Sequence, residues 1–455
     1  MSSGSRFVLQ AARVITPGRV FEPGAVSVDR ETGTVLAVGP PTEVVQVPAR
    51  GGQPPPGAGG TGASSAGAGS AGASGADPPA ARLIDLGNRT IAPGYVDVHV
   101  HGGDGAQVNG DDADEVDAAL LRIAAFHATH GTTTLLATTV ADSRSRLLAT
   151  VEGIARATRA TTPAGPSNPA GPRIVGPHVA GIHLEGPFIA RARTGAQDPN
   201  QLREPDLAEL DQLIEAGGDT ICMLTLAPEL PNAGTLIARA LEAGITVALG
   251  HTDADFDTAE AAFDAGASHL THLFNAMPPL HHRRPGVVGS ALRREGVTIE
   301  VIADLEHIHP AVLEIVARLA AHRLVAVSDA TPAAGLGAGR HRLGSLDVVV
   351  SGTRVELAGD PATLAGSLLT MDQAVSNLVL HAGMTLPDAI ATATRTPGRL
   401  LGASGLRAGE IVPGHPADLV VLEPDLHVAA TIVGGALAHD PLGLLGPHEL
   451  LGTSA

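Results

Sequence analysis

The chain has 455 residues, a net charge of −18 and 29 basic residues, all of them arginine. Without lysine there can be no Schiff-base or pyridoxal-lysine chemistry, no phosphate-loop lysine and no carbamylated lysine bridging two metals; with Cys222 as the sole cysteine there is no intramolecular disulfide, CxxC zinc site or redox pair. The acidic balance argues against nucleic acid as a partner, and no apolar run nears the roughly 18 residues of a membrane span or forms a secretory leader, so a cytoplasmic protein without membrane association is expected.

Residues 6–47 run in short apolar stretches (Phe7-Val8-Leu9, Ala25-Val26-Ser27-Val28, Val35-Leu36-Ala37-Val38) punctuated by Gly and Pro, which predicts a small β-domain. Residues 48–81 change character: they are Gly, Ala, Pro and Ser with almost no large side chains, and they predict a flexible insertion inside that domain. From Tyr95 the pattern becomes alternating strands and helices. Strands are expected at Tyr95–Val100, Thr132–Thr139, Val179–Leu184, Thr220–Leu226, Ile245–Leu249, Ser268–Leu273, Thr298–Ile302 and Leu324–Val327. Helices are expected at Ala113–His130, Leu207–Ala216, Leu236–Ala243 and Thr258–Ala265, stopped by Gly131, Gly217, Gly244 and Gly266, and from Pro310 to about Ala321. Eight strands with intervening helices fit a (β/α)8 barrel; pattern alone leaves a doubly wound open sheet as the alternative, although no GxGxxG follows a strand. Helices at Thr370–His381 and Leu386–Arg395 follow, and Asp418–Leu422 returns to β structure. The expected architecture is α/β: a TIM barrel over 93–395 inserted into a small β-sandwich formed by 1–92 and 396–455.

The polar residues at the strand ends carry the chemistry. His99 and His101 are two apart in a strand and share a face. Glu185, His251, His272 and Asp329 each follow a different strand, and the C-terminal ends of barrel strands converge on one mouth. Four imidazoles and two carboxylates there suit a divalent metal by side-chain type. His183 shares a face with Glu185, whereas His127 and His130 read as surface or helix-end residues. His281, His282, Arg283 and Arg284 form a basic loop, and Cys222 reads as a small core residue.

The motifs Pro93-Gly94-Tyr95-Val96-Asp97-Val98-His99-Val100-His101-Gly102, Gly181-Ile182-His183-Leu184-Glu185-Gly186-Pro187-Phe188, Gly250-His251-Thr252, Thr271-His272-Leu273-Phe274-Asn275-Ala276-Met277-Pro278, Val327-Ser328-Asp329-Ala330 and Leu364-Ala365-Gly366-Ser367 span nearly the whole chain outside 48–81. With them the sequence resembles the amidohydrolase superfamily and, within it, the N-acetylglucosamine-6-phosphate deacetylase family. The resemblance implies that Glu185, His251 and His272 hold a divalent metal and that His99 and His101 complete a second position. One or two ions of zinc or iron per subunit are implied, with Asp329 beside them as general base and then acid. It further implies that Asn275 and Ala276 contact the substrate and that Arg283 and His307 engage a sugar phosphate, part of that site coming from the neighbouring subunit of a homodimer. The implied reaction is deacetylation of N-acetylglucosamine 6-phosphate. The galactosamine epimer, an N-acyl-amino-acid substrate and a non-catalytic assembly role are the alternatives. Gln197, twelve residues after Glu185, stands where the family places a histidine that polarises the substrate carbonyl. Its amide can donate a hydrogen bond but carries no positive charge.

Overall fold

The computed structural model describes residues 6–45, 82–161, 176–401 and 407–446. The insertion expected over 48–81 lies outside them. The barrel strands, numbered here in chain order, are β1 (Tyr95–Val100), β2 (Thr132–Thr139), β3 (His178–Glu185), β4 (Ile221–Leu226), β5 (Thr246–Leu249), β6 (His269–Leu270), β7 (Thr298–Ile302) and β8 (Leu324–Val327). They form one eight-stranded parallel sheet in sequential order. The sheet closes near its C-terminal ends, where Asp329 N–H donates to His99 O (3.0 Å) and His101 N–H to Ala330 O (3.0 Å). Helices α1 (Ala113–Ala128), α2 (Arg144–Thr161), α3 (Leu207–Gly217), α4 (Ala233–Glu242), α5 (Phe256–Asp264), α6 (Gly286–Arg293), α7 (Pro310–Ala320) and α8 (Met371–Ala382) alternate with the strands. This is a (β/α)8 barrel.

Local chemistry accounts for the elements. Strands covered on both faces read as continuous apolar runs, and β4 and β8 are buried throughout. Helix α7 turns Leu313, Val316, Ala317 and Ala320 inward at helical spacing. At the start of α1 the Asp112 carboxylate accepts from the N–H groups of Asp114 and Glu115, which caps the helix. The core is aliphatic, and the sole tyrosine, Tyr95, is fully buried in it.

Several boundaries differ from expectation. Strand β6 shrinks to two residues because the chain leaves the sheet to bring His272 inward, with a positive φ of 26°. The stop expected at Gly217 moves one residue on, to Gly218 with φ 63°. The helix expected over Leu386–Arg395 ends at Thr392, and a separate turn of helix covers Arg395–Leu400. Helices α2 and α6 were not singled out in the sequence. His127, read as a surface or helix-end residue, stands in the last turn of α1 but is fully buried: its Nε2 lies 3.0 Å from the Gly102 carbonyl, and burial pushes its pKa down to about 4, so the ring is neutral.

Two further β structures flank the barrel. Thr90–Pro93 pairs in parallel with Arg13–Thr16 and antiparallel with Leu419–Leu422, so the N- and C-terminal segments share a six-stranded sheet. A four-stranded sheet containing Arg6–Ala11 and Gly24–Asp29 packs on it around Phe7, Leu9, Val28, Ile91, Leu419 and Ile432. Between β8 and α8, four antiparallel strands over 339–364 form a flap with its own small core of Val140, Leu343, Val348, Val350 and Val355. Among the described residues no helix is long and apolar enough to cross a membrane.

Candidate active site

A cavity of about 240 Å³ opens at the C-terminal ends of the barrel strands. His101, Glu185, Gln197, His251, His272, Asn275, Ala276, His307 and Asp329 line it, and Leu343, Thr363 and Leu364 of the flap cover it. His99 lies just behind, fully buried. Glu185 is the hub. Its Oε1 stands 3.2 Å from His251 Nε2, 3.1 Å from His272 Nε2 and 3.4 Å from His99 Nε2, while Oε2 stands 3.3 Å from His101 Nε2. Asp329 Oδ1 reaches His101 Nε2 at 3.2 Å and His99 Nε2 at 3.6 Å.

The outer nitrogens show what these atoms face. His251 Nδ1 lies 2.8 Å from the Arg193 carbonyl and His101 Nδ1 lies 3.1 Å from the Thr138 carbonyl. A carbonyl only accepts, so both Nδ1 atoms carry hydrogen. His99 Nδ1 likewise donates to the Glu300 carboxylate at 3.0 Å. In these three rings, when neutral, Nε2 is therefore a lone pair, pointing at carboxylate oxygens and at the Nε2 of a neighbouring ring. His251 Nε2 and His272 Nε2 are 3.1 Å apart, and His99 Nε2 and His101 Nε2 are 3.2 Å apart. Such a set repels itself unless a cation or protons lie between its members. Imidazoles and carboxylates, with outer-nitrogen partners in place on His99, His101 and His251 and with His272 Nδ1 buried without one, have the donor chemistry of a divalent metal site. Two such groups result: Glu185, His251 and His272, and His99, His101 and Asp329. A third convergence of His99, His183 and Glu300 is satisfied internally, since His183 meets the Val98 carbonyl at 3.1 Å and the Thr225 hydroxyl at 2.8 Å. Burial, reinforced by the neighbouring His99, pushes the His183 pKa down to about 3, so that ring stays neutral.

The charges respond to this crowding. Burial works to raise the carboxyls, but His99 and His251 hold Glu185 well below the usual range, and His99 and His101 hold Asp329 below it. Burial pulls His101 down, yet hydrogen bonds to Asp329 and Glu185 push it up to about 9. The backbone is strained at the same place. His251, His272, Phe274, Ala276 and Asp329 all have positive φ, between 26° and 76°, a conformation costly for residues with a Cβ and concentrated at functional sites. Gly366 lines the cavity at φ 59°, and a Cβ there would lie 2.6 Å from Thr331 Cγ2 and 2.9 Å from the Asp329 carbonyl oxygen, so the position favours glycine.

The amidohydrolase family profile matches residues 90–438, which is most of the chain. The chain belongs to the amidohydrolase family. It is 38% identical over 362 residues to N-acetylgalactosamine-6-phosphate deacetylase of Escherichia coli O157:H7, covering 80% of this chain and 91% of that protein. It is 35% identical over 367 residues to N-acetylglucosamine-6-phosphate deacetylase of Bacillus subtilis strain 168, covering 80% and 88%. A Mycobacterium smegmatis N-acetyl-D-glucosamine-6-phosphate deacetylase variant, solved in complex with N-acetyl-D-glucosamine-6-phosphate, superposes with a TM-score of 0.78 at 34% identity, covering 96% of this chain and all of that one.

Within this amidohydrolase site the residues read from the sequence do not all gather. His307 lines the cavity, its Nδ1 2.7 Å from Asp304 Oδ2; burial lowers its pKa, but Asp304 raises it more, so the net shift is upward. Asn275 turns its side-chain NH₂ back to the Leu273 carbonyl at 3.1 Å, and Ala276 accepts from Thr252 N–H at 3.2 Å. Arg283 is exposed, outside the cavity lining, with its guanidinium on His282 at 2.8 Å. Gln197 is in the cavity wall, but both ends of its amide are engaged. Its Oε1 accepts from Ala141 N–H at 2.7 Å, so its NH₂ donates to Glu185 Oε2 at 2.6 Å. Gln197→Leu therefore removes one partner of the buried Glu185 Oε2 and strands the buried Ala141 N–H, and turnover is expected to fall about 10–100-fold, with faster loss of metal to a chelator. Gln197→His, which can donate from one ring nitrogen and accept at the other, should stay near or above the parent rate. A parent-like rate in the leucine variant would remove this role.

Sequence reading missed Glu300 and His269. Glu300 is a lone acid inside an apolar strand; it accepts from His99, from His269 Nε2 (2.9 Å) and from the His272 N–H (3.0 Å). A charged residue within Thr298-Ile299-Glu300-Val301-Ile302 was the available signal.

Proposed function

We propose that the chain hydrolyses the acetamide of N-acetylglucosamine 6-phosphate to glucosamine 6-phosphate and acetate, acting in the cytoplasm as a homodimer with one or two zinc or iron ions per subunit. The observation that carries this reading is the convergence of Glu185, His251 and His272 beside Asp329 in a cavity that also holds His307. Glu185, His251 and His272 would hold the first ion, and His99 and His101 a second. Such an ion, when bound, acidifies water and polarises the amide carbonyl. Asp329 accepts the proton of the attacking water and returns it to the amine nitrogen as the C–N bond breaks. Ionised across the neutral range, Asp329 is ready for the first of these steps. His307, held toward its cationic form by Asp304, meets the phosphate. Arg283, exposed on one subunit, completes the phosphate site of the other, where its planar fork suits bidentate contact. The flap excludes bulk water.

The galactosamine epimer is the second reading, favoured by the 38% identity to the Escherichia coli N-acetylgalactosamine-6-phosphate deacetylase. Acetate release from both sugar phosphates and from unphosphorylated N-acetylglucosamine, measured on metal-loaded protein, tests both. N-acetylglucosamine 6-phosphate is expected to lead. Loss of the phosphate should lower kcat/KM by about 10–100-fold, the worth of hydrogen bonds to a charged group. Loaded protein that releases no acetate from either sugar phosphate would overturn the proposal.

A further inference from the structure

We propose that Glu300 is a positioning residue that builds the second metal position by fixing His99, so that the chain takes two divalent ions per subunit. This rests on the ligand assignment above and goes beyond it in naming the residue on which the second ion depends.

Glu300 is fully buried in β7 and has no contact with solvent or with the cavity. Its two oxygens divide the work. Oε2 accepts from His99 Nδ1 at 3.0 Å and from the His272 backbone N–H at 3.0 Å; Oε1 meets His269 Nε2 at 2.9 Å. His269 is anchored in turn by Thr298 Oγ1 at 2.7 Å. One carboxylate thus touches one residue from each candidate metal group.

The two groups depend on it unequally. Glu300 sets the His99 tautomer: with Nδ1–H committed to the carboxylate, the Nε2 lone pair is turned toward His101, Glu185 and Asp329. A carboxylate behind a ligating imidazole also raises its basicity. Among the described residues no other group hydrogen-bonds to His99 Nδ1; Nε2 faces Glu185, Asp329 and His101, and His183 only packs edge-on against the ring. The His272 end is tied twice. Besides the contact with Oε2, the Leu273 N–H donates to the Glu300 backbone carbonyl at 3.0 Å, a bond that survives any side-chain change. The first position therefore keeps its geometry when the carboxylate is lost, and the second does not.

The experiment is a zinc titration of chelator-stripped protein against a chromophoric competitor, without substrate. The parent is expected to bind two ions. Glu300→Gln keeps the shape and loses the charge; it should hold the first ion within about threefold of the parent and the second about 10–100-fold more weakly. Glu300→Leu should fall at or beyond the weak end of that range, and thermal melting of the stripped proteins reports whether each variant folds. If the leucine variant does not fold, the glutamine variant decides alone. His99→Asn, which removes the ligand itself, should weaken the second ion at least as much as Glu300→Gln, and adding Glu300→Gln to it should lose nothing further. Two ions with unchanged affinities in Glu300→Gln, an equal loss at both positions, or a parent that takes up a single ion would each overturn the proposal. Failure of the acetate assay would leave this titration untouched, so the two readings fail separately.

Discussion

Asp329→Asn is expected to retain the metal held by Glu185, His251 and His272 and to lose about 10²–10⁴-fold in kcat, the usual worth of a positioned acid–base group. The substitution is close to isosteric. The backbone that places the residue is independent of its side chain: Asp329 N–H donates to His99 O, and its carbonyl accepts from Ser367 N–H at 2.8 Å. An amide in that place can still meet His101, but it cannot accept a proton from water or pass one to the leaving nitrogen. Because the loss falls on the chemical step, KM should move little. Metal analysis with single-turnover acetate release checks both halves. Retained turnover would remove Asp329 as the base. Loss of the first ion would make it chiefly a ligand.

The barrel and most of the site were legible because parallel strands buried on both faces leave a plain record: a run of apolar residues that stops at a polar one. Glu185, His251, His272 and Asp329 stand at or just past such stops, His99 and His101 alternate with valines at the end of β1, and the structure brings the six together at one mouth. What was not legible depends on partners far along the chain. Glu300 takes its meaning from His99, 201 residues away, and from His269, 31 away. Gln197 could be placed by its distance from Glu185, but the Ala141 N–H that commits its amide lies 56 residues upstream. His127 does stand at a helix end, but its burial was not legible, because nothing nearby in the chain shows that the Gly102 carbonyl sits against it. The flap escaped because its strands are four to six residues long, with Arg, Asp and Gly among them, and make no helical or continuous apolar pattern.

Glu185→Ala should be the more severe lesion, because among the described residues no other carboxylate lining the cavity reaches the imidazoles of both donor groups. Oε1 serves His251 and His272; Oε2 serves His101 and is held by Gln197. Removing the carboxylate deletes a negative ligand from each position at once and leaves four imidazole nitrogens facing one another with Asp329 alone to balance them. The chain has no lysine that could supply a bridging carbamate in its place. Metal content is expected to fall well below one ion per subunit. Turnover should drop by more than about 10³-fold, since without an ion the water pKa returns from about 7 toward 15.7. The apo fold should persist, since Glu185 ends β3 and its backbone pairing with Thr225 needs no side chain. Elemental analysis, acetate release and melting of the stripped protein separate the cases. A variant that still holds a full ion would mean that the histidines suffice, and the hub role of Glu185 would fall. Glu185→Asp sharpens the test: it keeps the charge but shortens the reach by one methylene, so one carboxylate can no longer span both groups. If bridging is what matters, the aspartate variant should keep one ion and lose the other. If charge alone matters, it should keep both.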